Sequence, residues 1–245
     1  MEIFPSQTLT NEEFLKVISR SFEAFLDKGT SRSTDKLKPL HGAIARDIAN
    51  RLGPGYEVWS QGYLHDKEAD IAGRYTSKKA DITVKDCTTG KTVAGIAVKF
   101  VMQNYSQNSN NYFENMLGET ANIRCAACPY FQIFIILDKL PYYNRDKSIV
   151  KWETFTDHNI SKYVVLSRDN IDVFFHTPNK TLIYVVHLPD TAAEVKTQTE
   201  YLEYYRANRH GLSLTPHRYP DFGSAVILND YESFAEKVFH TIMSR

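Results

Sequence analysis

The stretch KKADITVKDCTTGKTVAGIAVKF, residues 78–100, carries an aspartate, Asp81, near one end and a lysine, Lys99, near the other. Alternating positions on either side of DCTTGK predict two antiparallel strands joined by a tight polar turn near Thr89. Asp81 and Ala97 each lie about eight residues from the centre of that turn, so the pairing sets them opposite one another. Side chains alternate with period two along a strand, and Lys99 therefore shares the face of Ala97. A carboxylate on such a face can hold Mg²⁺, a hard ion that takes oxygen ligands. The ion would polarise a phosphate and acidify a bound water, and the lysine would orient or deprotonate that water. This is the chemistry of phosphodiester hydrolysis. One carboxylate is a poor Mg²⁺ site, so a further acid is expected, joined by a backbone carbonyl, here that of Val98. The place where the acid would stand is taken by Ala97.

The pattern ADI…GIAVKF resembles the signature of the PD-(D/E)xK nucleases, with Ala80-Asp81 in place of Pro-Asp and Ala97-Val98-Lys99 in place of (D/E)xK. The expected order of elements over residues 36–138 is similar too: helix, strand, Asp-bearing strand, Lys-bearing strand, helix, buried strand. The resemblance implies an α/β, restriction-endonuclease-like core, a central mixed β-sheet flanked by helices. It implies Asp81 as a metal ligand, Lys99 as the catalytic lysine and Mg²⁺ as the cofactor. It also implies the activity of a type II restriction endonuclease, which cuts double-stranded DNA to leave a 5′-phosphate and a 3′-hydroxyl. A homodimer would match palindromic sites by two-fold symmetry, and a cognate DNA methyltransferase would be a partner. Some members of this family carry a small residue at the position of Ala97 and supply the acid from the following helix. Glu114 and Glu119 are the candidates there. With Phe113, Leu117, Thr120 and Ala121 taken as the inward face, Glu114 falls at its edge and Glu119 on the far side. Glu114 is therefore the expected catalytic and metal-binding residue, and Glu57 is a candidate for a second metal. Two other classes stay open: a non-cleaving DNA- or protein-binding member of the same fold, which Ala97 favours, and a repair or transposition nuclease.

These residues must be positioned by the elements around them. TLTNEEFLKVISRSFEAFLDKG predicts a helix with a Thr10–Glu13 capping box, a Phe14, Ile18, Phe22, Phe25 stripe and Gly29 as its stop. Asp35 is a possible cap for a second helix, whose stripe is Leu40, Ile44, Ile48 and Leu52, and Gly53-Pro54-Gly55 ends it. YEVWSQGY reads as a strand, and LHDKEADIAGRYTSK as a turn and a short strand. YFQIFIILDKL is an apolar run expected to be buried on both faces, closed by Pro141. KYVVLSRDNIDVFFH and KTLIYVVHLP read as further strands. TAAEVKTQTEYLEYYRANRHG and YESFAEKVFHTIMSR read as helices. The expectation is a single nuclease domain over 1–245, with a catalytic core at 36–138 and additions at 1–35 and 139–245 for dimerisation or DNA contact.

Of 245 residues 42% are hydrophobic, which excludes a disordered chain, and 29 basic residues balance 29 acidic ones, which excludes a non-specific polycation. No apolar run reaches the roughly 18–20 residues of a membrane helix, and the start lacks the features of a signal peptide. The three cysteines, Cys87, Cys125 and Cys128, point to a reducing compartment, hence a cytoplasmic protein. Cys125 and Cys128 lack the second pair that a zinc site needs and are expected to be buried cysteines at a helix end. The polar segment QNYSQNSNNYFEN is the expected DNA contact, through Asn104, Ser106, Asn108, Asn110 and Asn111. Arg74, Lys78 and Lys79, with Arg32, Lys36 and Lys38, are the expected phosphate-binding rim.

Overall fold

Helix α1 (Asn11–Lys28) begins at the predicted capping box: the Thr10 N–H donates to Glu13 Oε2 at 3.0 Å and the Glu13 N–H to Thr10 Oγ1 at 3.2 Å. Its stripe of Phe14, Ile18, Phe22 and Phe25 is buried. The computed structural model describes residues 8–28, 36–190, 194–208 and 211–245. Gly29, Arg32 and Asp35 lie outside the described residues. Helix α2 (Lys38–Leu52) has Pro39 in its first turn, buries Leu40, Ile44, Ile48 and Leu52, and ends at Gly53, whose φ of 75° suits a residue without a side chain.

Strand β1 (Tyr56–Ser60) is followed by a two-stranded antiparallel ribbon, β2 (Ala69–Ile71) and β3 (Lys78–Ala80). The predicted hairpin follows as β4 (Ile82–Asp86) and β5 (Thr92–Val101). Its turn is held by Thr89, whose N–H and hydroxyl both donate to Asp86 Oδ1. Helix α3 (Tyr105–Arg124) then leads to β6 (Tyr130–Leu137), all eight residues of which are buried, as the apolar run predicts.

The second half departs from expectation in several places; residues 194–197, for one, precede a helix that begins only at Gln198. Pro141 does not end a strand. It lies inside β7 (Lys139–Tyr143), which pairs only with β8 (Ile149–Thr154) in a separate ribbon, so its missing N–H interrupts no central ladder. KYVVL is not a strand but the end of α4 (Asp157–Leu166). There the Thr156 N–H donates to the Asn159 side chain at 2.9 Å, and Ile160, Tyr163 and Leu166 turn inward together. This local cap and the helical spacing of the buried residues override the β-propensity of Tyr-Val-Val.

Strand β9 (Lys180–His187) continues the sheet. After it come α5 (Gln198–Asn208), β10 (Ser213–Leu214), β11 (Val226–Leu228) and α6 (Tyr231–Met243). The main sheet runs β1-β4-β5-β6-β9-β10, with β11 also on β9. The β1/β4 and β4/β5 pairs are antiparallel, and β5, β6 and β9 are parallel, so the sheet is mixed and flanked by helices. Tyr201 and Tyr205 of α5 are buried against Phe22, so this tyrosine-rich helix spends those two rings on the core rather than on an outer face. A smaller core of Ile71, Ala80, Ile123, Cys128 and Tyr130 fastens the β2–β3 ribbon and α3 to the sheet. The three cysteines are free, and burial pushes the Cys128 thiol up to about 11, which leaves it an inert core group. Among the described residues no helix is long and apolar enough to cross a membrane.

Candidate active site

Asp81 sits at the corner where the chain leaves the β2–β3 ribbon and enters β4. Two bonds fix it: its backbone carbonyl accepts from Ser60 Oγ at 2.8 Å, and its Oδ2 accepts from the Val98 N–H at 2.7 Å. Continuing the observed pair Ile82↔Ile96 by one residue sets Asp81 opposite Ala97, the register the hairpin spacing predicts. Ala97 packs against the smaller core. Two positions on, the Lys99 ammonium lies 4.3 Å from the centre of the Tyr112 ring of α3. Burial raises the Asp81 carboxyl above its ordinary pKa, against the Val98 N–H and the charges of Lys99 and Lys78. Burial lowers the Lys99 pKa, against the charge of Asp81. The two groups therefore act on each other. Part of the Asp81 side chain, 28%, still reaches solvent.

The ribbon brings in an acid that the sequence reading passed over. Continuing Ala69↔Ala80 by one residue puts Glu68 opposite Asp81. Gln61 Nε2 donates to Glu68 Oε1 at 3.0 Å. Burial, and then the negative charge of Asp81, hold the Glu68 carboxyl above its ordinary pKa, while His41 and Lys79 pull the other way. The signal was present in the near-repeat EADI and KADI, residues 68–71 and 79–82, whose antiparallel pairing aligns the acid of one with the Asp of the other.

Helix α2 closes the back of this cluster. His41 Nδ1 stands 4.0 Å from Asp81 Oδ1, with the ring buried. Burial lowers its pKa to about 4, so at neutral pH it is uncharged and supplies no counter-ion to Asp81. The helix is held tightly here. A Cβ on Gly42 would stand 2.2 Å from the Gly62 carbonyl oxygen, and one on Gly62 would stand 2.2 Å from that of Lys38. This backbone contact fixes the Gln61–Asp66 turn, which also holds Lys38 to Asp66 at 3.1 Å. Lys36 lies close enough to Lys99 that, after burial, the charge of Lys99 lowers its pKa further.

The helix expected to supply the missing acid is turned otherwise than predicted. Its buried residues are Tyr105, Met116, Thr120, Ile123 and Arg124; of the expected inward face Thr120 is among them, while Phe113, Leu117 and Ala121 are half-buried. Glu114 is exposed, and its charge acts on Lys162 of α4. Glu119 is the half-buried glutamate. It accepts from the Tyr130 hydroxyl at 2.7 Å and pairs with Lys78 at 3.7 Å. The expected face rested on Phe113 and Leu117, whose hydrophobicity is spent against α4 and the helix flank; Phe113, for example, meets Tyr163 edge-on. Glu57 lies away from the acids, hydrogen-bonded to His65 at 2.7 Å.

The expected DNA contacts divide. Lys78 and Lys79 act on Asp81 and Glu68 and so border the cluster. Arg74 lies over Tyr75 in a loop tied to Asn122 of α3. Asn104 and Ser106 are structural: Asn104 exchanges two hydrogen bonds with the Tyr143 backbone, and Ser106 donates through its N–H and hydroxyl to Glu153. Asn108 bonds the Tyr112 side chain, and Asn110 and Asn111 are exposed. The polar segment forms the first turns of α3.

Two carboxylates that face each other in a partly desolvated corner, with a lysine beside them, form an oxygen donor set suited to a hard divalent cation. Among the described residues no group of three or more His, Cys, Asp or Glu side chains is placed to hold a metal ion. Comparison with known protein families, characterised proteins and solved structures gives no significant match.

Proposed function

We propose that this protein is a Mg²⁺-dependent endonuclease acting on double-stranded DNA, built on a restriction-endonuclease-like core and working as a homodimer in the manner of type II restriction enzymes. The observation that carries the reading is the placement of Glu68 opposite Asp81, whose charge in turn acts on Lys99. In this reading Glu68 makes good the acid absent at Ala97. Burial holds both carboxyls above their ordinary pKa, and the charge of Asp81 adds to the shift of Glu68. His41, kept neutral by burial, adds no fixed positive charge there, so a bound cation would add to the charges of Lys99, Lys78 and Lys79.

Asp81 and Glu68 would hold Mg²⁺, with the Val98 carbonyl as a neighbouring oxygen. When bound, the ion would supply charge neutralisation at the phosphate and a more acidic water. Lys99, its pKa lowered by burial, would orient that water and accept its proton more readily than an exposed lysine. Lys78 and Lys79 would hold flanking phosphates, whereas Lys36 is buried against the Phe25 ring. Hydrolysis in this arrangement leaves a 5′-phosphate and a 3′-hydroxyl.

The test is to incubate the protein with Mg²⁺ and long DNA of known sequence, then map the ends. Discrete cuts bearing 5′-phosphates are expected. Intact DNA that the protein nonetheless binds would replace this reading with that of a non-cleaving member of the fold.

A further inference from the structure

Helix α3 carries an unusual side. At about 100° per residue, with Tyr112 set at zero, Asn108, Asn115, Asn111 and Gln107 fall in succession over roughly the next 140° on one side. Glu119 lies between Tyr112 and Asn108, and the buried residues Tyr105, Met116 and Ile123 lie on the opposite side of Tyr112. The order across the helix is therefore buried core, Tyr112 under the Lys99 ammonium, and then a side of amides, of which Asn122, about 80° from Tyr112, is spent holding Tyr75 and Thr76.

Gln107, Asn111 and Asn115 are exposed, and Asn108 is half-exposed beside Tyr112. Glu119, at the edge of the row, is engaged by Lys78 and Tyr130. The row thus begins at the candidate catalytic lysine and is electrically neutral. Exposed helix positions are ordinarily charged, because charge keeps a surface soluble. Amides are poorer helix formers than Lys or Glu and bring no charge. What they bring is a paired donor and acceptor on each side chain, the pattern that matches N6 and N7 of adenine in the major groove.

We infer that Gln107, Asn111 and Asn115 on α3 read adenine-containing base pairs in the major groove next to the phosphate presented to Asp81, Glu68 and Lys99. The inference rests on the DNA-cleaving reading and adds to it the determinant of sequence choice. A helix fits the major groove, and Lys78 and Lys79 beside the acids would supply backbone contacts that position without specifying.

The experiment is selection of bound sites from randomised duplex DNA, with Ca²⁺ in place of Mg²⁺ to separate binding from cutting. An enriched site containing an A·T pair is expected. N6-methylation of its adenine should weaken binding roughly tenfold or more, the scale of one bidentate contact. Asn111→Ala and Asn115→Ala should each erase preference at one pair and leave binding to unrelated duplex within about twofold, since phosphate contacts persist. A site that these variants and methylation leave unchanged overturns the inference, as does duplex binding without any preference. Selective binding that responds as expected, without cleavage in Mg²⁺, upholds the inference and sinks the nuclease reading instead.

Discussion

Replacing His41 by glutamine probes the back wall of the candidate site through stability alone. In the unfolded chain the imidazole titrates near 6.5, and burial in the folded protein lowers it to about 4. As pH falls through this window the unfolded chain takes up a proton that the folded chain refuses. The stabilisation from a buried neutral His41 is therefore complete above pH 6.5 and is lost as pH falls towards 4. The gap between 6.5 and about 4, at about 1.4 kcal/mol per pH unit, comes to about 3 kcal/mol. With an unfolding entropy of about 2 cal/mol/K per residue over 245 residues, that corresponds to roughly 6 °C in Tm. Urea unfolding followed by circular dichroism at pH 7, 6, 5 and 4 gives the comparison directly. His41→Gln should lose about 3 kcal/mol less than wild type between pH 7 and pH 4. Parallel losses in the two proteins would refute the buried neutral imidazole, and with it the argument that His41 supplies no counter-ion to Asp81.

Two further outcomes follow from the same geometry. Glu68 has a raised pKa in the folded state, so its stabilisation belongs to low pH and is lost as pH rises through that value. Metal-free Glu68→Gln should thus unfold at a higher temperature than wild type at pH 7, with the difference vanishing by about pH 4. Millimolar Mg²⁺ should raise the Tm of wild type but not that of Asp81→Asn or Glu68→Gln, a shift read by calorimetry. Gly42→Ala should cost about 3 kcal/mol or more in urea unfolding, because its new methyl would meet the backbone carbonyl of Gly62, which has no side-chain rotamer by which to move away.

How far the sequence spoke for itself can be judged residue by residue. The hairpin was readable because period-two alternation and the Asp86–Thr89 turn are local, and the Asp81–Ala97 register follows from counting. The buried strand β6 was readable from its unbroken apolar run. The phase of α3 was not, because its buried face is chosen by tertiary contacts: Phe113 and Leu117 look like core but pack on the helix flank, while Thr120 and Met116 lie beneath. Glu68 was hidden for a different reason. Its position depends on the three-residue pairing of β2 with β3, too short to announce itself by periodicity, and only that pairing brings an acid of the loop across from Asp81. The buried His41 was visible as a residue but not as a neighbour of Asp81, since α2 and the β3–β4 corner are 40 residues apart.

The most direct test sets Glu68→Gln against Glu114→Gln in Mg²⁺-dependent cleavage of the same DNA under single-turnover conditions. Removal of one of two metal-binding carboxylates should slow cleavage by roughly 100-fold or more, the scale seen when a transition-state electrostatic partner is lost. Glu114 faces Lys162 and should be replaceable with a change of no more than about threefold, as for a surface residue outside the chemistry. A variant Glu68→Gln that cuts like wild type, with Glu114→Gln inactive, would contradict the account and place the missing acid on α3.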